Sequence, residues 1–211
     1  MNSNKLVFLA LGSFVLFIVL LMGLFLGLNR RDALEDYPVL GDELVPELYP
    51  VPEFAFFDSN EDVVALDDLK GKIWVANLFF TSCAGPCPVM MNEVAKLVPN
   101  YPQDSNVHFV SISVDPDTDT SAHLANYAKR FKVNTETWHF LTGPIEQVNT
   151  LSYDGFKVGS VDDPVIHSTK FILVDTRGII RGYFDGFGDS AAEGIADLQM
   201  AIAALQKESP V

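Results

Sequence analysis

Residues 73–98 read IWVANLFFTSCAGPCPVMMNEVAKLV, and the fold turns on them. Ile73 to Phe80 is a near-continuous apolar run, as a central strand buried on both faces requires. From Cys87 to Val98, Met91, Val94 and Val98 recur on one helical stripe, and Pro99 stops it. Between strand and helix stand Cys83 and Cys87, the only two cysteines of the chain. A disulfide this short closes a tiny loop and constrains little, so the pair is reactive or metal-binding rather than a staple. Cys87 is expected in the first helical turn and Cys83 in the loop just before it. Free N–H groups at a helix N-terminus favour thiolates there. Three intervening residues, Gly85 among them, let both sulfurs point to one place. Soft thiolates so gathered suit Cu(I) or Zn(II) far better than hard cations.

Working outward, strands and helices alternate. Phe54–Phe57 and Val63–Leu66 read as short strands around a polar turn, and Val107–Val114 as a second buried strand. Ser121–Phe131 reads as a helix turning Leu124, Tyr127, Ala128 and Phe131 inward. Trp138–Leu141 is a short strand, and Pro144 opens a short helix. Lys170–Asp175 and Ile179–Phe184 form a hairpin about Thr176-Arg177-Gly178. A last helix opens with a capping box, Ser190-x-x-Glu193, and buries Ile195, Leu198, Ile202 and Leu205. The expected architecture is α/β, a central mixed sheet flanked by helices. A cysteine directly after a buried strand and opening a helix is the thioredoxin arrangement.

Leu6 to Leu28 carries no charge and no proline. Twenty-three such residues are long enough to span a bilayer with some tilt. No A-x-A cleavage site follows, so an uncleaved transmembrane anchor is expected. The expected organisation is a tail at 1–5, the anchor at 6–28, an acidic, proline-containing tether at 29–47, the domain at 48–206 and a tail at 207–211. Lys5 on one side against Arg30 and Arg31 on the other leaves the positive-inside rule near a tie. The domain is placed outside the cytoplasm, on the periplasmic side, by its chemistry. The net charge of −14, with scattered basic residues, excludes nucleic acid as a partner.

Two sulfurs rarely complete a metal site, and there are four histidines to search for a third ligand. His108, inside a buried strand, reads as a hydrogen-bonded structural residue. His123 falls in an exposed helix turn, and His139 sits beside Trp138 in a strand. His167 differs: it lies in a loop just before the strand KFILVD, where a thioredoxin fold packs a loop against its cysteines and oxidoreductases place a cis-proline. Its ring is placed to reach both sulfurs; the plainer alternative is a solvated loop histidine. Asp115 and Asp119 read as a turn followed by a helix cap.

On Cys83-x-x-x-Cys87-Pro88 after a buried strand, Ser113-Val114-Asp115-Pro116-x-x-Asp119-Thr120, and His167 before a strand and hairpin, the chain resembles the Sco/SenC family of copper-binding, thioredoxin-fold proteins. The likeness covers about residues 48–206. It implies Cys83, Cys87 and His167 as ligands of one copper ion, Cu(I) or Cu(II). The implied partner is the copper-bearing subunit of cytochrome c oxidase, and the implied role is copper delivery, or reduction of that centre's thiols, by a single-pass membrane protein. Ala84-Gly85-Pro86 lacks the acidic residue often found between the family's cysteines, which puts affinity and partner choice in doubt. The rival reading is a thiol–disulfide oxidoreductase or redox-signalling protein whose Cys83 and Cys87 form a redox-active disulfide. A thiol peroxidase lacks an upstream proline and an activating arginine, and a structural zinc site lacks a fourth ligand.

Overall fold

The apolar run after Lys72 forms strand β3 (Ile73–Phe79), all seven residues of which are buried. In the computed structural model, which describes residues 47–132, 136–158 and 168–208, β3 is the middle of a five-stranded sheet. The expected anchor, the tether up to Pro46, and His167 lie outside the described residues. Among the described residues no helix is long and apolar enough to cross a membrane.

Around β3 the strands are β4 (Val107–Ser113), β5 (Trp138–Leu141), β6 (Lys170–Val174) and β7 (Ile180–Asp185), in the spatial order β5-β4-β3-β6-β7. β4 runs parallel to β3 and β5 parallel to β4, while β6 runs antiparallel to β3 and pairs with β7 as a hairpin. The sheet is therefore mixed. At the hairpin turn Gly178 takes φ +78°, a conformation that glycine adopts without steric cost. Asp175 accepts the N–H groups of Arg177 (2.9 Å) and Ile179 (3.0 Å) there.

One face of the sheet carries Trp74, Ala76, Leu78, Val110, Ile112, Leu141 and Ile172. It is covered by the hairpin β1 (Ala55–Phe57) and β2 (Val63–Ala65), helix α1 (Leu66–Leu69), and the segment holding Val148, Leu151 and Phe156. The opposite face takes α2 (Pro86–Leu97), α3 (Ser121–Ala128) and α5 (Ala191–Glu208). Asn77 is buried beneath α2, accepting from Ser111 Oγ (2.7 Å) and donating to Met91 Sδ (3.4 Å). Between β5 and the 151–156 segment lies α4 (Ile145–Thr150).

Three expectations shift. α3 ends at Ala128 rather than Phe131, because Arg130 and Phe131 bond back three residues and tighten the last turn. α5 runs to Glu208, past the expected domain end at 206, since Glu208 pairs with the buried Arg181 at 3.0 Å. In α5, Gly194 and Ala201 are buried and Ile195 only half-buried. A Cβ on Gly194 would stand 2.4 Å from the Asp185 carbonyl oxygen, so the helix meets β7 backbone to backbone at that point. Ser190, expected to cap this helix, donates its hydroxyl to Asp185.

His108 and His139 find each other across β4 and β5. His108 Nδ1 lies 3.2 Å from His139 Nε2, the rings are parallel within 4°, and their centroids are 5.5 Å apart. The nitrogens thus lie between the centroids, and the rings meet edge to edge in an N–H···N hydrogen bond. Burial, aided by the nearby Lys72 charge and the neighbouring His139, depresses His108 to about 4. Burial and Lys72 also lower His139, against the opposing charges of Asp58 and Asp68.

Both rings are therefore neutral when folded but take up protons in the unfolded chain near its ordinary value of about 6.5. Their contribution to stability is complete above that value and is lost as pH falls from there toward 4. In urea titrations at stepped pH, His108→Asn should flatten this part of the acid limb relative to wild type. Parallel limbs would show that the pair does not set it.

Candidate metal and redox centre

At the C-terminal end of β3 the chain turns sharply, the Cys83 N–H bonding to the Phe80 carbonyl at 3.2 Å. α2 then begins at Pro86, with Gly85 as its N-cap, one residue earlier than its apolar stripe suggests. Proline at the first helical position forfeits no helical hydrogen bond. Cys83 thus lies just outside the helix and Cys87 inside its first turn; both are free thiols, 8% and 5% exposed.

The two sulfurs are not equivalent. Burial pushes the Cys83 thiol up, but hydrogen bonds from the Cys87 thiol and from the backbone N–H groups of Cys87 and Gly85 outweigh it, and the net shift is downward. Burial pushes Cys87 up as well, and its hydrogen bond to Cys83 and the Cys83 charge take it to about 12. Backbone hydrogen bonds at the helix N-terminus favour both sulfurs, as expected, but for Cys87 those of Phe80 and Cys87 are outweighed by burial and by Cys83. Cys83 is therefore the more acidic of the two, and it accepts a hydrogen bond from the Cys87 thiol. Alkylation near neutral pH should label Cys83 first, as read by peptide mass spectrometry; labelling of Cys87 first would contradict this asymmetry.

The turn before Cys83 is held from below. Asp119, with no exposed surface, accepts the Thr81 N–H at 2.9 Å and the Ser113 hydroxyl at 2.6 Å, and its other oxygen takes the Thr81 hydroxyl. None of these donors is charged. Asp119 is thus not the helix cap expected from its position: that role belongs to Thr120, whose hydroxyl oxygen accepts the His123 N–H at 3.3 Å. Asp115 does make the expected turn, its carbonyl accepting from Thr118 and Asp119. His123 Nε2 comes within 3.4 Å of Thr81 Oγ1. Tyr127, one turn further along α3, is raised to about 12, chiefly by burial and further by the charges of Cys87, Cys83 and Asp119. Its ring packs on Phe79 at 5.6 Å, beneath the thiol end.

The structure thus gathers Cys83, Cys87, Thr81, Ser113, Asp119 and Tyr127 at one end of the sheet. His167 lies outside the described residues, and His108 and His139 pair with each other instead. Among the described residues no three histidine, cysteine or acidic side chains are grouped to hold a metal ion. Asp119→Ala should cost about 2–3 kcal/mol in urea unfolding, because it strands buried donors from Thr81 and Ser113. A loss under half that would mean the clamp contributes little.

Comparison with known proteins places this architecture. A family profile described as SCO1/SenC matches residues 47–203. The chain belongs to the SCO1/SenC family. It is 30% identical over 156 residues to the SCO1 protein homolog of Bacillus subtilis, covering 71% of this chain and 81% of the relative. A structure of BsSco, described as showing a disulfide switch in a member of the Sco family of cytochrome c oxidase assembly proteins, superposes with TM-score 0.65. It is 28% identical and covers 77% of this chain and 99% of its own. ScoI of Bradyrhizobium japonicum, solved with copper bound, superposes with TM-score 0.57 at 25% identity, covering 71% and 98%. With these Sco neighbours, the mixed α/β sheet is a thioredoxin-like fold.

Proposed function

We propose that this chain carries one copper ion as cargo, held by Cys83, Cys87 and His167, and delivers it to the copper-bearing subunit of a cytochrome c oxidase. Residues 6–28 anchor it as a single membrane span, with the domain on the periplasmic side. The observation that carries this reading is the pair of nearly buried thiols at one helix N-terminus, hydrogen-bonded to each other, with Cys83 the more acidic. A soft cation displaces the thiol protons there and gains two thiolate ligands. Family membership supports the reading, as do the copper bound to the B. japonicum relative and the oxidase assembly role given for BsSco.

The third ligand has topological support. β6 runs antiparallel to β3 with Ile172 opposite Ala76, which brings Lys170 level with Leu78, near the end where β3 releases Cys83. His167 is three residues before Lys170 in the sequence.

A second reading is favoured by the same asymmetry. Deprotonation of Cys83, the more acidic thiol, gives the nucleophile that thiol–disulfide exchange requires. The reduced dithiol can pass two electrons and two protons to a partner disulfide, becoming a Cys83–Cys87 disulfide as the partner becomes two thiols. The disulfide switch described for BsSco supports it.

The deciding experiment loads the reduced full-length chain with Cu(I) under anaerobic conditions and measures retained metal. One copper per chain, lost or much weakened in Cys83→Ser, Cys87→Ser and His167→Ala, is the expected result. A chain that retains no copper yet cycles a Cys83–Cys87 disulfide with a thiol buffer would transfer the protein to the second reading. Copper retained undiminished by His167→Ala would remove that residue from the ligand set.

A further inference from the structure

Cys83 and Cys87 are almost wholly buried, and a metal held between them offers an incoming acceptor little surface on which to begin ligand exchange. The first turn of α3 presents an exposed imidazole beside the turn that carries Cys83. His123 is exposed, its backbone is fixed by the Thr120 cap, and its Nε2 stands 3.4 Å from Thr81 Oγ1, two residues before Cys83 in the turn that carries that cysteine. It lies one helical turn before Tyr127 on the same side of α3, and Tyr127 is close enough to both sulfurs to respond to their charge.

The hydrogen bonds around Thr81 decide which way the imidazole is protonated. Its hydroxyl hydrogen is taken by Asp119, so Thr81 Oγ1 has only lone pairs left to offer His123. The Nε2 nitrogen must therefore be the donor, and the lone pair of the neutral ring is on Nδ1, away from Thr81. Metal-binding imidazoles are commonly set in this manner, with the other ring nitrogen donating toward a carboxylate or another oxygen, which fixes the tautomer and raises ligand basicity. Here the buried Asp119 acts on His123 through an intervening hydroxyl. Imidazole nitrogen also suits copper.

We infer that His123 is a transfer ligand for the cargo: its Nδ1 takes up copper leaving the thiol pair, and releases it to an acceptor, without belonging to the resting site. Thr81 and Asp119 are positioning residues for this step. On uptake one nitrogen–copper bond forms as one sulfur–copper bond breaks; on release each remaining bond to this chain, that to His123 included, breaks as a bond to the acceptor forms, with no change of oxidation state. The inference rests on the copper-delivery reading given above.

The test separates rate from affinity. The full-length chain, loaded with one Cu(I), is mixed anaerobically with an excess of a chromogenic Cu(I) chelator, bathocuproine disulfonate, and colour formation is followed by stopped flow. His123→Ala should slow transfer by roughly tenfold, a factor equal to one modest interaction in the barrier. Its Kd from equilibrium competition should stay within about twofold of wild type, less than the loss of a typical hydrogen bond would cause. Thr81→Val should show the same slowing, and Thr81→Ser, which keeps the hydroxyl, should restore the wild-type rate. An unchanged rate in His123→Ala overturns the inference while leaving copper binding intact. A Kd weakened in step with the rate also overturns it, by making His123 a resting ligand. Wild-type chain that retains no copper removes the delivery reading and this inference together.

Discussion

A carboxylate with no exposed surface holds the thiol end of this protein together. Asp119 draws Thr81, from the turn after β3, and Ser113, from the end of β4, onto one acceptor group. Burying such a group is costly unless its oxygens are supplied with donors, so the three segments must arrive in a single arrangement for the fold to tolerate it. The parallel register that sets Phe79 opposite Ser113 makes that arrangement available. Everything chemical in the molecule is then stacked on it: the turn that carries Cys83, the helix N-terminus that lends its N–H groups, and the first turn of α3.

The same arrangement explains why the two cysteines differ although only three residues separate them. A helix N-terminus is a directional device, because its unpaired N–H groups point outward along the axis. Cys83, standing beyond the cap, receives them. Cys87, inside the first turn, also receives backbone hydrogen bonds, but burial and the neighbouring Cys83 outweigh them. Two adjacent sulfurs of unequal acidity are a natural starting point both for a soft cation that displaces their protons and for an oxidation that joins them.

How much of this was legible in the sequence follows from where each feature is encoded. β3 was readable because a strand covered on both faces is a near-continuous apolar run, and β4 because a valine- and isoleucine-rich stretch without charge reads the same way; neither needs its partner to be recognised. The placement of Cys83 between strand and helix was readable for the same reason. Asp119 was not: its neighbours Asp115 and Thr120 look like turn and cap residues, which they are, and its own partners lie 38 and 6 positions away. The available signal was a serine, Ser113, at the last position of a buried strand, just before Asp115. The His108–His139 pair was equally hidden, since it depends on the register of β4 against β5, in which His139 falls opposite Val110. Parallel ladders have no short connecting turn to announce their register.

The manner in which the described chain joins the sheet has a mechanical consequence. Leu48, Tyr49 and Val51 pair with Ile180 and Gly178, at the turn between β6 and β7. That turn is at the pole of the sheet opposite the thiols, the full length of β3 away, about 23 Å for seven extended residues. Tension applied through residues 47–51 would be borne by this short patch of main-chain pairing and by the Arg177–Glu47 ion pair at 2.6 Å. It would not pass first through the turn that holds Cys83. The pairing of residues 47–51 and the thiols are at opposite poles of the sheet, so a large body can approach the thiols without displacing residues 47–51.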